Sequence, residues 1–403
     1  MIPKIRYSGE EKEWYYAKAN HPLFNRWRIA LMIAMGIGRF SYTVILPYMQ
    51  EASGFSRATA GYFLASSNYL GYLIGALVVG RLSIEQKRVP FLQVGLIISM
   101  LTTIFMGFTE TIIIWYVLRF ISGVMSAFIF VVIASLVLDQ LADNNKSHLS
   151  GLFYSGVGIG IAISAIIVSP IHAIFKWNGT WIALALMCVL LFVFIALFIK
   201  PIPHSKKQWG NQSIPVPKMP PKSWLKWLIV AYSLEGLGYI VTGTFIVSIA
   251  QESTSFHGNA ALVWFVAGLA AIPSCIICSK LSQRFGYVKI LLISMVLQAV
   301  GIALPALATN TITLYLSAFI FGATFMGITT IVTTLARHIV PVNSHQILGY
   351  LTAGYALGQM VGPTVAGVLA NSTNSYQYSL VGAATVVIIG ALSLLGGVKY
   401  EKK

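Results

Sequence analysis

Apolar stretches of roughly 20 residues alternate with short polar connectors along this chain. That rhythm restricts the fold more than any other feature, because a helix of about 20 apolar residues spans the hydrocarbon core of a bilayer. Twelve such stretches fall at approximately 27–50, 58–80, 89–109, 112–138, 148–174, 178–199, 224–250, 260–281, 287–308, 311–336, 346–370 and 376–398. Only 9% of the 403 residues are charged, against about 25% in soluble domains. The expected fold is therefore an all-α polytopic membrane protein of twelve transmembrane helices. Residues 1–25 mix charges with aromatics and contain no apolar core of a cleavable signal, so insertion is expected to begin with the first span.

One connector stands apart. Residues 200–223 hold six of the fifteen prolines and several lysines, a composition that fixes extended backbone and suits a linker. It divides the chain into a tail (1–25), a six-helix bundle (26–199), the linker (200–223), a second six-helix bundle (224–398) and a short tail (399–403). Of the 27 lysines and arginines, 23 fall in segments on the side of the chain ends, two (Arg57 and Lys176) on the other side, and two (Arg39 and Arg119) inside spans. This bias predicts that both termini and the linker are cytoplasmic. The formal net charge of +16 thus reflects membrane topology, and nucleic acid is not an expected partner.

The halves echo one another at offsets of 198 to 200 residues. Lys226, Trp227 and Ile229 lie under Arg26, Trp27 and Ile29, and Gly236 and Gly238 under Gly36 and Gly38. Ala318-Phe-Ile-Phe-Gly322 lies under Arg119-Phe-Ile-Ser-Gly123, and Gly349, Gly354 and Gly358 under Gly151, Gly156 and Gly160. Parallel repeats of this kind place a binding cavity between the halves near mid-bilayer.

These features resemble the major facilitator superfamily over nearly the whole chain. The connector after the second span of each half is similar to that superfamily's G-x-L-A-D-R-x-G-R-R signature. It reads Ser279-Lys-Leu-Ser-Gln-Arg-Phe-Gly286 in the second half and keeps Gly80, Leu82, Lys87 and Arg88 in the first, while Ile84 and Gln283 stand where the motif carries an acid. Arg119-Phe-Ile-Ser-Gly123 resembles the R-x-x-x-G motif of proton-coupled members, and Gly354-x3-Gly358-x3-Gly362-Pro363 resembles the antiporter glycine-proline motif, here on the eleventh span. Gly36 to Met49, GIGRFSYTVILPYM, is similar to the first-helix signature of the YbfB/YjiJ-type bacterial branch. The resemblance implies the major facilitator fold, a monomer in a bacterial cytoplasmic membrane, and gating or packing roles for Gly80, Arg284, Gly286, Gly358, Gly362 and Pro363.

Charge inside spans marks the candidate site. An arginine at membrane depth costs at least ~2.5 kcal/mol, and at ~1.5 Å per residue Arg39 lies roughly 18 Å into the first span and Glu235 roughly 16 Å into the seventh. The pair could attract a solute and a proton, or could hold the halves together. Tyr42 and Tyr239 follow them at helical spacing. Asn68, with Gly71, Tyr72 and Gly75, forms a small polar face, and Gln359 marks the eleventh span. Arg119 lies about 10 Å from a span end, within snorkelling distance of the interface. Asp139 falls at the end of the fourth span, leaving Glu235 as the clearly membrane-buried acid.

No cofactor is expected. The histidines show no metal-ligand spacing, and Cys188, Cys275 and Cys278 lie in apolar runs and suit packing. No nucleotide-binding motif is present. The expected function is a secondary active transporter coupled to protons, moving a small solute by alternating access, with import and export both open. A membrane-embedded enzyme or a transporter-like sensor are the alternatives.

Overall fold

The computed structural model describes residues 25–82, 88–143, 146–198, 219–341 and 344–401. The expected tail and most of the linker, together with Ile84 and Lys87 of the first connector, lie outside them. Lipid offers no partner to a backbone N–H or C=O, so an apolar span must bond to itself as helix. The described residues are nearly all helical: α1 (Asn25–Ser53), α2 (Thr59–Arg81), α3 (Arg88–Met106), α4 (Ile112–Asp143), α5 (150–175), α6 (177–198), α7 (Leu225–Glu252), α8 (Ala261–Phe285), α9 (Tyr287–Leu307), α10 (Thr311–Ile339), α11 (Ser344–Thr373) and α12 (Gln377–Ser393). The helical run Ser150–Phe198 is broken at Lys176, whose φ of 58° and ψ of −172° separate α5 from α6. Counting that run once, ten helices among the described residues are long and apolar enough to cross a membrane. Helix α11 is not among them. Its glycines and polar residues lower its hydropathy, and of these Gly349, Thr352, Gly358, Gln359 and Gly362 are buried in the protein.

The layering follows from side-chain character. α3, α6, α9 and α12 expose large apolar residues such as Leu101, Leu190, Ile293 and Leu392, the surface that suits contact with lipid. α1, α4, α7 and α10 bury most of their length inside the bundle. The two halves meet through α2 against α11, α5 against α8, and α1 against α7. The first two contacts are counterparts under the 200-residue repeat, so the packing carries the internal symmetry seen in the sequence.

Close helix approach accounts for several glycines. A Cβ at Gly358 would strike the Ser233 carbonyl, and one at Gly362 would strike the Leu237 carbonyl, so both glycines seat α11 against α7. Gly80 lies against Gly349 across the two halves. Pro363 sits inside α11 with its carbonyl against Gly61 of α2. Gly286 has a φ of 106° and packs against Glu401, whose carboxylate accepts from Val288 N at 2.8 Å and caps α9. Arg284 is exposed, with its guanidinium beside Phe285.

Two local expectations are corrected. α1 is not one regular helix: residues Met32–Ile37 are π-helical, with Gly38 N bonded to Ile33 O (2.8 Å) and Phe40 N to Met35 O (3.1 Å). A widened turn of this type is frequent at functional sites, and Arg39 sits directly after it. α4 runs to Asp143, so Asp139 lies within the helix and takes part in an ion pair.

Candidate functional site

Arg39 is carried to the middle of the bundle by the widened turn of α1 and is only 2% exposed. Its guanidinium stands 3.8 Å from the Tyr72 ring centre and 4.9 Å from that of Tyr69. These faces of negative quadrupole stabilise a desolvated cation by ~2 kcal/mol. From the other half, Gln359 accepts from Nη2 at 2.5 Å, and its amide nitrogen donates to the Tyr239 hydroxyl. Arg39, Gln359 and Tyr239, all singled out in the sequence, therefore form one hydrogen-bonded group joining α1, α11 and α7. The guanidinium is underused: Nε and Nη1 have no hydrogen bond of good geometry, although the Tyr72 hydroxyl is a polar neighbour.

The structure rejects the direct Arg39–Glu235 pair. Glu235 is fully buried in α7, and both of its oxygens lack a hydrogen bond of good geometry. Its polar neighbours are Tyr355 of α11 and Gln298 of α9, and both polar atoms of the Gln298 amide are also without a partner. Sequence reasoning missed Tyr355 and Gln298. The first lies four residues before Gln359, on the same helix face, and the second is an amide in an otherwise apolar span.

Arg119 does not reach the interface. It is 2% exposed and lies 4.4 Å from the Tyr42 ring centre, with its Nε unpartnered. Tyr42 donates to Ala60 O (3.1 Å), and Asn68 donates to Arg119 O (2.8 Å), tying α1 to α2 and α2 to α4. Among the described residues neither Arg39 nor Arg119 forms a salt bridge. Two buried cations thus occupy the α1–α6 half without a carboxylate.

Aromatic rings line the central group from the opposite half. Tyr239 stacks near Phe325, Phe321 and Tyr355 with centroids at 5.9, 6.0 and 5.4 Å, and Phe40 lies 6.3 Å from Trp264.

Both ends of the interface carry contacts between the halves. At the end bearing the chain termini, Arg337 Nε meets Asp139 at 2.7 Å and Ser344 donates to the same carboxylate at 2.8 Å. Ser150 lies 3.1 Å from Ser279 there. At the opposite end Arg57 pairs with Glu252 at 2.7 Å and reaches the end of α11. The central group lies buried between these two layers of contact.

The comparisons with known proteins bear on the family and the fold. The family described as "Uncharacterised MFS-type transporter YbfB" matches residues 31–395. A gentisate transporter of Corynebacterium glutamicum is 20% identical, covering 90% of this chain and 84% of the relative. A benzoate transport protein of Acinetobacter baylyi is 24% identical, over 47% of this chain and 42% of the relative. A crystal structure of a variant of the nucleoside transporter NupG superposes with a TM-score of 0.70 at 16% identity, over 93% of this chain and 99% of that one. With the family matched along most of its length and the fold shared, the chain belongs to the YbfB-type family of major facilitator transporters, membrane proteins that move small solutes.

Proposed function

We propose that this protein is a proton-coupled secondary transporter of a small organic anion, with an aromatic carboxylate as its first candidate solute. The observation that carries this reading is Arg39: a buried guanidinium at the junction of the halves with two nitrogens unspent. A planar guanidinium binds carboxylates through two parallel N–H···O bonds. Arg119 adds a second uncompensated charge, and buried unpaired ions are costly, so an anion improves the site's electrostatics where a cation would worsen them. The flanking Phe325, Phe321 and Trp264 suit a flat apolar body. The names of the gentisate and benzoate relatives point to the same chemistry.

Contacts between the halves at both ends support alternating access, in which the Asp139–Arg337 and Arg57–Glu252 layers open in turn. The charge bias supports cytoplasmic termini in a bacterial plasma membrane, and the enclosed central group within a single chain supports a monomeric transport unit. Glu235 is the proton carrier in this reading. The experiment is uptake of labelled benzoate and gentisate into proteoliposomes under an imposed pH gradient. Gradient-driven accumulation should occur in the parent protein, vanish in Arg39→Gln, and become independent of the gradient in Glu235→Gln. Failure to accumulate any member of an aromatic carboxylate panel, or full accumulation by Arg39→Gln, would falsify the reading.

A further inference from the structure

We infer that Tyr239 and Tyr355 form a relay through which anion binding at Arg39 and proton binding at Glu235 favour one another, making the two cargoes enter together. The inference rests on the organic-anion reading above and adds the groups that couple the two sites.

The relay is visible as two rungs between facing helices. Glu235 and Tyr239 are four residues apart on α7, and Tyr355 and Gln359 are four apart on α11, so each pair shares a helix face. Gln359 bonds Tyr239 in one rung. In the other, Tyr355 lies beside Glu235. The Tyr239 and Tyr355 rings stack at 5.4 Å, and Tyr232 stacks on Tyr355 at 4.1 Å.

The donors run in one direction. Arg39 donates to the Gln359 carbonyl, and the Gln359 amide donates to the Tyr239 oxygen. In the relay the Tyr239 hydrogen turns to Tyr355 and that of Tyr355 to the Glu235 carboxylate, whose two oxygens have no hydrogen-bond partner in the present conformation. Each donor polarises the next in such a chain, so the charge on Arg39 is felt at Glu235 without direct contact. A carboxylate docking on Arg39 competes for Nη2 and cancels that charge. The ionised Glu235 then loses its remote support and takes a proton from water.

Gln298 is placed to receive the product of that step. A protonated carboxyl has one donor and one acceptor, as does each amide edge, so the two groups match as a cyclic pair; an ionised carboxylate cannot donate to the Gln298 carbonyl. Both Gln298 atoms are unpartnered in the present conformation. Gln298 can donate through its amide nitrogen to the ionised carboxylate, as Tyr355 can, whereas only the protonated form can also donate back to the amide oxygen. The titratable and charged groups in its surroundings are Tyr232 and Tyr239 on its own helix, Tyr355 on α11 and, at the far end of the chain, Arg39 on α1. α9 contributes Gln298, and α10 contributes Thr329, which accepts from Tyr232 at 3.2 Å. No lysine, arginine or histidine among the described residues pairs with Glu235. Uptake of one monocarboxylate with one proton adds no net charge, and an inward proton gradient drives it inward.

The test measures protons taken up per benzoate bound by the purified full-length protein, with a pH indicator dye in weak buffer. The parent protein should take up about one proton per benzoate. Tyr355→Phe, whatever its affinity, should take up close to none, as should Glu235→Gln. An unchanged ratio in Tyr355→Phe overturns the relay, and an unchanged ratio in Glu235→Gln overturns the proton site. A ligand-free arm makes the relay testable even if benzoate fails to bind, an outcome that would count against the anion reading alone. Arg39→Gln and Tyr355→Phe should each alter the pH dependence of thermal stability in the same way, and the double variant should match either single variant. Additive changes overturn the relay.

Discussion

Replacing Asp139 by alanine should open the end of the transporter that bears the chain termini. The Asp139–Arg337 pair is 33% and 9% exposed by side chain, which places it between two limits. Exposed pairs contribute ~0.2–1 kcal/mol, whereas removing one partner of a fully buried pair costs ~3–5 kcal/mol. Asp139 also accepts from Ser344 at 2.8 Å, worth ~1.5 kcal/mol as a charged hydrogen bond. With solvent screening of the more exposed partner, about 2 kcal/mol is a fair value for the state closed at this end, and at 1.36 kcal/mol per tenfold change it corresponds to about 30-fold in the open population. Ser150→Cys supplies the reporter. Ser150 is fully buried between α8 and α10, 3.1 Å from Ser279 and 3.3 Å from Thr334, while the native Cys188, Cys275 and Cys278 are buried. Its rate of alkylation by a polar maleimide should rise about 30-fold on adding Asp139→Ala, and should not rise with Glu252→Ala at the opposite end. A rise smaller than about threefold, in protein that remains folded, would refute the assignment of this pair to closure.

Three further outcomes are expected. Glu252→Gln removes a more exposed pair, with side chains 25% and 40% accessible, so its effect on labelling at the opposite end should correspond to no more than ~1 kcal/mol, about fivefold. Gly358→Ala places a methyl group against the Ser233 carbonyl; overpacking of this kind costs ~1–3 kcal/mol, and the apparent melting temperature should fall by several degrees. Arg39→Lys preserves charge but loses the planar fork that lies against Tyr72 at 3.8 Å, so benzoate uptake should fall at least ~10-fold, whereas near-parental uptake would show that charge alone suffices.

Much of the central group was legible because membrane spans make polar residues conspicuous. Arg39, Tyr239 and Gln359 were each marked by an apolar background, and they meet. Glu235 was marked too, yet its partner was misread: similar depth on counterpart helices suggested a pair with Arg39, whereas the rotation of α7 turns the carboxylate towards α9 and α11. Asp139 was set aside as a helix-end acid because apolar periodicity fades before the helix does. The partner that holds it, Arg337, lies 198 residues away, a separation that local pattern does not encode. Arg119 was placed within snorkelling distance of the interface, but burial against Tyr42 keeps it inside.

The sequence by itself determined the class of solution. Hydropathy dictated helices of membrane length, the 200-residue echo dictated paired halves, and the family signatures dictated how those helices are arranged. Tertiary structure decided what the rare polar groups do. The same arginine and glutamate could have neutralised one another. Instead Arg39, just after the widened turn at Met32–Ile37, bonds Gln359 of α11, while Glu235 lies beside Tyr355 and Gln298. The reason is geometric: hydropathy depends on what a residue is, but a hydrogen bond depends on where a side chain points within a few ångströms, and that is fixed only when helices distant in sequence pack together.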